Sequence, residues 1–209
     1  MNGNKKKIKN KGNDCVMVSI YVIDNGGQWT HREWRMLKYL DVTTKIVPNT
    51  MPWDELSNEE VDGLILSGGA PRIGLENKLG NCDEYLRKAD IPILGICAGH
   101  QFMARFFGGD AKPSKIPEFG KITLTIVDEN NPLFNDVPKE SVVWESHNDE
   151  ITILPDCMKN LAKSENCLYQ AIMHKDKPFY GLQFHPEVNN TEYGEQIFSN
   201  FKRICETDR

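Results

Sequence analysis

The chain is poor in several features that would announce a function at once. No apolar run among its 209 residues approaches the roughly 20 that a membrane-spanning helix requires, so no passage through a bilayer is expected. None of its six cysteines (Cys15, Cys82, Cys97, Cys157, Cys167 and Cys205) stands in a C-x-x-C pair or beside histidines at a zinc-binding spacing. A zinc module and a disulfide framework are therefore not expected, and a reducing cytoplasm suits thiols left unpaired. There is no G-x-x-x-x-G-K-[ST] loop to cradle a nucleotide triphosphate. Basic charge is scarce outside the first eleven residues, where Lys5, Lys6, Lys7, Lys9 and Lys11 cluster, so the body is more acidic than the net charge of -5 implies. A body without a basic stripe has nothing to neutralise phosphates, and no nucleic-acid partner is expected.

Residues 1–16 read as a basic, disordered extension, and residues 17–209 as a single domain. Lysines followed by the apolar Val16–Ile23 imitate a secretory signal, but the run is short and leads into Asp24-Asn25-Gly26-Gly27 without a cleavage site. From Ser19, short apolar runs alternate with helical periodicity. Strands are predicted at 19–24, 43–47, 62–67 and 92–96, and helices at 28–40, 82–89 and 98–107. That alternation implies right-handed crossovers and an α/β fold, a doubly wound, mostly parallel sheet flanked by helices. After Gly109 the pattern becomes β-rich, with strands predicted at 121–127, 141–144, 151–154, 170–173 and 179–184 and a closing helix at 192–204.

Gly95-Ile96-Cys97-Ala98-Gly99 joins a predicted buried strand to a predicted helix, the setting of a nucleophile elbow. The glycines two before and two after Cys97 are read as steric necessities, because a side chain at either place would collide with neighbouring backbone. The helix N-terminus at Cys97 favours a thiolate. The same pattern by itself also fits a buried structural cysteine, and a base is needed to separate the two readings.

His185-Pro186-Glu187 supplies that base. In extended backbone, residues two apart share a side, so Glu187 can orient one imidazole nitrogen while the other faces Cys97. Acyl chemistry also needs an oxyanion hole, expected from the N–H groups of Ala98 and of Gly69 in the glycine-rich turn Ser67-Gly68-Gly69.

With Gly95-Ile96-Cys97-Ala98-Gly99-His100-Gln101, Ser67-Gly68-Gly69 and His185-Pro186-Glu187 in this order, the chain resembles the class I (triad) glutamine amidotransferases from about Met17 to its end. The resemblance implies a flavodoxin-like fold and hydrolysis of glutamine through a Cys97 γ-glutamyl thioester. It also implies that Gly68, Gly69, Gln101 and the loop carrying Ser146, His147 and Asn148 hold the substrate, with no metal. Asp24-Asn25-Gly26-Gly27-Gln28, Glu118-Phe119-Gly120 and Val143-Trp144-Glu145-Ser146-His147-Asn148-Asp149 resemble the GMP synthetase branch in which glutaminase and synthase are separate chains. Two departures stand out: Ala98 replaces a larger residue, and Ala70 separates Gly69 from Pro71. In that branch the chain has no cofactor of its own, and ATP and Mg²⁺ are expected on a partner, the ATP pyrophosphatase subunit that aminates XMP. Two other readings share the elbow chemistry: a glutaminase serving another synthase, and a stand-alone thiol hydrolase of γ-glutamyl compounds. His31, His100 and His174 are left without a role.

Overall fold

The computed structural model describes residues 17–76 and 78–207. The lysine-rich extension, with Cys15, lies outside the described residues.

The first strand, β1 (Ile20–Asn25), lies one strand in from an edge of the sheet, and its side chains alternate between two cores. Ile20 and Val22 face one side, where α1 (Thr30–Tyr39) and α5 (Gly194–Thr207) pack through Leu37, Ile197, Phe198 and Phe201. Tyr21 and Ile23 face the other side, which is covered by α2 (Trp53–Leu56), α3 (Cys82–Lys88) and α4 (Ala98–Phe106). A strand buried on both faces reads as a continuous apolar run, and helices on both faces are what doubly wound means physically.

The sheet has the order β2-β1-β3-β4-β9-β8-β7-β5-β6. β2 (Ile46–Pro48), β1, β3 (Gly63–Gly69), β4 (Ile93–Ile96) and β9 (Phe179–Leu182) run parallel. β5 (Asp110–Ile126), β6 (Glu140–Ile153), β7 (Met158–Lys163) and β8 (Ala171–His174) continue it antiparallel. The chain passes from β1 outward to β2 on one side, then returns to β3 on the other. In such sheets the crevice beyond the carboxyl ends of the strands flanking that reversal is the place for a ligand.

The parallel half follows the sequence reading to within a few residues at each boundary. The antiparallel half departs from it. The strands predicted at 141–144 and 151–154 are one continuous strand, β6, so Ser146–Asp149 is strand and not loop. Its inward positions are Val143, Glu145, His147, Asp149 and Ile151, all at most 3% exposed. Three of them are ionisable, which breaks the apolar alternation that marks a strand. For the same reason β5 begins at Asp110, eleven residues before the predicted start, and buries Glu118 along the way. Met158–Lys163, with Lys159 and Lys163 exposed and Asn160 half-buried, carries no clear alternation and is a strand that the sequence pattern does not announce.

Candidate active site

β4 ends at Ile96, and the next residue turns the chain abruptly into α4. Cys97 sits there with φ 49° and ψ −103°. A side chain in that region costs on the order of 1–3 kcal/mol, which the neighbouring elements must offset. The strand pairing does so from one side, because the Cys97 N–H donates to the Leu182 carbonyl at 2.8 Å. Both flanking glycines are sterically required. A Cβ at Gly95 would lie 2.7–2.8 Å from backbone atoms of Gly99 and His100, and one at Gly99 would overlap the Leu66 carbonyl. Ala98 opens α4, and the N–H groups of a helix's first turn have no intrahelical acceptor. Those N–H groups and the helix dipole favour negative charge beside Cys97.

His185 follows β9 at the same edge of the sheet. Its backbone N–H donates to the Trp144 carbonyl at 3.0 Å, and its own carbonyl accepts from Thr191 Oγ1 at 2.6 Å. Its ring Nδ1 lies 2.6 Å from Glu187 Oε1, and the Cys97 thiol stands near enough to the ring to favour its charged form. Residues 186 and 187 form a turn, not the extended backbone expected, and the turn still brings the carboxylate onto the ring. Trp29, at the start of α1, packs edge-on against the imidazole with centroids 4.3 Å apart. Burial works against charge on His185, but Glu187 and Cys97 outweigh it and hold the imidazole well above its ordinary titration range. A base so placed can accept the Cys97 proton and remain charged beside the thiolate.

A cavity of about 300 Å³ opens over Cys97, His185 and Glu187, between the β1–α1 turn and the turn after β3, at the topological reversal. Gly68, Gly69 and Ser146 line it. Gly68 is the closer of the two glycines to the chemistry: a Cβ there would stand 3.3 Å from His185 Cε1 and 3.6 Å from Cys97 Cβ. Ser67, Gly68 and Gly69, predicted as a turn, are the last residues of β3, and this strand end and the turn after it are held in place from two directions. The Asn25 backbone N–H donates to the Ser67 hydroxyl oxygen at 3.1 Å, and its Nδ2 donates to the Ser67 carbonyl at 2.9 Å. Arg72 grips Asp149 of β6 through Nε and Nη2 at 2.8 and 2.5 Å. Despite burial, that guanidinium and the Gly74 N–H hold the Asp149 carboxyl below its usual range.

Gln101, His147 and Asn148 are not part of that cavity wall. Asn148 faces solvent on the outer side of β6. His147 points into the sheet, with Nδ1 3.0 Å from the Asp149 carbonyl and Nε2 3.1 Å from Glu118 Oε2. Gln101 is buried and donates Nε2 to the Asp149 carbonyl at 2.6 Å and to Gln183 Oε1 at 2.9 Å. Glu118, His147 and Cys167 place their ligand atoms within 4.8 Å of one another. Glu118 is already saturated by His147, Ser164 and Gln170, so the trio reads as a polar core. His100, with Nε2 3.0 Å from the Tyr169 carbonyl, is pushed down to about 3 by burial and is structural.

Two residues near the nucleophile escape a reading of the sequence. Glu33 of α1 is 1% exposed, lines the cavity, and leaves Oε2 without a hydrogen-bond partner among the described residues. Burial first, and then the nearby Glu187, push its carboxyl well above the usual range. A glutamate at helical spacing between the buried Thr30 and Leu37 is the available signal. Gln183, a polar residue inside the apolar run Phe179–Phe184, sits with Nε2 3.7 Å from Cys97 Sγ.

Comparison with known proteins agrees with this geometry. A family model described as "Glutamine amidotransferase class-I" matches residues 21–204. The chain is 51% identical over 194 residues to one of the subunits of glutamine-hydrolysing GMP synthase from Thermoplasma acidophilum, covering 92% of this chain and 96% of that one. It is 47% identical to the Pyrococcus furiosus protein of the same name, covering 89% and 98%. A crystal structure of a GMP synthase subunit protein from T. acidophilum superposes with a TM-score of 0.86 at 50% identity, covering 91% and 95%. A glutamine amidotransferase from Thermotoga maritima, at 21% identity and a TM-score of 0.66, shares the fold. The chain belongs to the class-I glutamine amidotransferase family.

Proposed function

We propose that this chain is the glutaminase subunit of a two-chain GMP synthase, hydrolysing glutamine to glutamate and passing the ammonia to a partner. The observation that carries the chemistry is the 2.6 Å contact of His185 Nδ1 with Glu187 beside a cysteine held in an elbow. The relatives named for this GMP synthase subunit, matched along nine-tenths of the chain, favour this pathway over a different synthase.

In the proposed reaction His185 takes the thiol proton and Cys97 Sγ attacks the carboxamide carbon of glutamine. The carbonyl oxygen becomes an oxyanion held by the N–H groups of Ala98 and Gly69. His185 returns the proton to the leaving nitrogen, the C–N bond breaks, and ammonia departs from a γ-glutamyl thioester. Water, deprotonated by the same imidazole, then hydrolyses the thioester to glutamate and restores the thiol. Glu187 fixes the imidazole tautomer and steadies its charge throughout. Gly68, Gly69 and Ser146 are the side of the pocket proposed to meet glutamine, with Gln101, His147 and Asn148 supporting it from behind or outside the cavity.

The chain itself is proposed to need no cofactor. ATP, Mg²⁺ and XMP belong on an ATP pyrophosphatase subunit, since Pro71-Arg72 stand where an S-G-G-x-D-S loop would place Asp-Ser. A cytoplasmic location is proposed, in keeping with Cys82, Cys97, Cys157, Cys167 and Cys205 forming no disulfide. The test is glutamine hydrolysis by the chain alone and with an ATP pyrophosphatase subunit loaded with ATP and XMP. Low activity alone and a marked rise with the loaded partner are expected. Full activity that the partner leaves unchanged would overturn the assignment to GMP synthesis.

A further inference from the structure

Cys97 has a polar neighbour besides His185. Gln183 is fully buried, and its side-chain nitrogen Nε2 lies 3.7 Å from Cys97 Sγ. Its backbone is fixed in the sheet: the Gln183 N–H donates to the Gln170 carbonyl at 2.8 Å, while the preceding Leu182 carbonyl receives the Cys97 N–H.

Which end of the Gln183 amide faces the sulfur is settled by a chain of contacts. The Asp149 backbone carbonyl can only accept a hydrogen bond, so the Gln101 amide atom 2.6 Å from it must be the nitrogen. That same nitrogen lies 2.9 Å from the Gln183 side chain, so the Gln183 atom facing it must be the oxygen. The nitrogen of Gln183 is then left for the sulfur. Gln101 and Gln183 are 3% and 0% exposed, so water is not at hand to substitute for either donor.

We infer that Gln183 is an auxiliary hydrogen-bond donor to the Cys97 thiolate, and that Gln101 is a positioning residue that acts through it. The inference rests on Cys97 being the nucleophile. As His185 takes the thiol proton, negative charge gathers on Sγ, and the Gln183 N–H faces that charge. When the C–S bond forms, the charge moves to the carbonyl oxygen and the Gln183 contact weakens. Its effect therefore falls mainly on how much thiolate stands ready and where it points, and glutamine binding is affected little.

The test is the rate of Cys97 alkylation by iodoacetamide as a function of pH, without glutamine, on the whole chain. Gln183→Met, apolar and of similar length, removes the donor toward sulfur without adding a charge. A hydrogen bond to a charged group is worth about tenfold in the thiolate population. A more basic thiolate is also more nucleophilic, which returns about threefold of that. The alkylation profile should thus move to higher pH, with the rate at pH 7 down by about threefold and the high-pH plateau raised. A merely structural defect would lower the rate at every pH. Gln183→Glu, whose carboxylate when ionised also repels the thiolate, should shift the profile at least as far. Gln101→Met, which cannot donate to the Asp149 carbonyl or to the Gln183 oxygen, should shift it in the same direction. Wild-type profiles in Gln183→Met and Gln101→Met overturn the inference even if Gln183→Glu fails to fold. If the profiles shift as expected but the partner-loaded wild type leaves glutamine untouched, the proposed function fails and this inference stands.

Discussion

Replacing Gly95 by alanine should damage stability and chemistry together, and the size of the effect follows from the packing of α4 on β4. The added Cβ would lie 2.7 Å from the Gly99 carbonyl carbon and 2.8 Å from both the Gly99 oxygen and the His100 nitrogen. Non-bonded carbon contacts are favourable only at about 3.5–4.0 Å, so the first turn of α4 must retreat by roughly 0.7–1 Å. All three obstacles are backbone, which leaves no side chain to swing aside. Overpacking of this kind costs about 1–3 kcal/mol. At about 2–4 °C per kcal/mol for a domain of this size, the melting temperature should fall by roughly 2–12 °C. The retreating turn carries Cys97 and Ala98 away from His185, which is anchored separately on β9 and β6. A misplacement near 1 Å can reduce turnover by about 10²-fold. Calorimetry on the purified variant gives the first number, and glutamine hydrolysis in the reconstituted synthase gives the second. A variant that melts with the wild type and turns over normally would refute the steric account of the elbow.

Other perturbations probe the charges. Glu187→Gln keeps an acceptor near His185 Nδ1 but removes the charge that opposes burial, so the imidazolium should be harder to form and kcat should fall by about 10²–10⁴-fold; unchanged kcat in steady-state kinetics would remove Glu187 from the relay. Glu145 tests linkage in the core. Burial, the largest influence, pushes its carboxyl up to about 8, neither oxygen has a hydrogen-bond partner among the described residues, and the neighbouring Gln170 Nε2 is given to Glu118. Between the ordinary carboxylate value and about pH 8 the folded state holds a proton that the unfolded chain has lost, so stability should fall as pH rises across that window and level off above it. His147, whose titration is raised by Glu118 and Glu145 against its burial, adds a loss of the same sign above about pH 6.5. Glu145→Gln should therefore lose less stability than the wild type between pH 5.5 and 8.5, by up to a few kcal/mol in urea titrations, and equal losses would show that Glu145 does not titrate there.

How much of this is legible in the sequence depends on whether a residue obeys its local pattern. β1, β3 and β4 are apolar on both faces, and the glycines around Cys97 have a steric reason that sequence spacing alone conveys. The pairing of His185 with Glu187 follows from their separation, although a turn and not an extended strand delivers it. What stays hidden is the buried polar interior. Glu118, His147 and Asp149 face inward because they satisfy one another or Arg72 on segments apart in sequence, and Glu145 lies 3.7 Å from the same His147 ring. Hydrophobic alternation cannot register such partners. The loop expected at Ser146–Asp149 is the direct consequence. Glu33 and Gln183 escape notice for the same reason: each is a polar residue at a position where periodicity calls for an apolar one.

The central claim is that Cys97 is the nucleophile and that only glutamine use depends on it. The most direct measurement is GMP formation by Cys97→Ala assembled with the ATP pyrophosphatase subunit, supplied in turn with glutamine and with ammonium. Loss of glutamine-dependent synthesis with ammonium-dependent synthesis intact is the predicted result. Synthesis from glutamine that persists without the Cys97 thiol would contradict it.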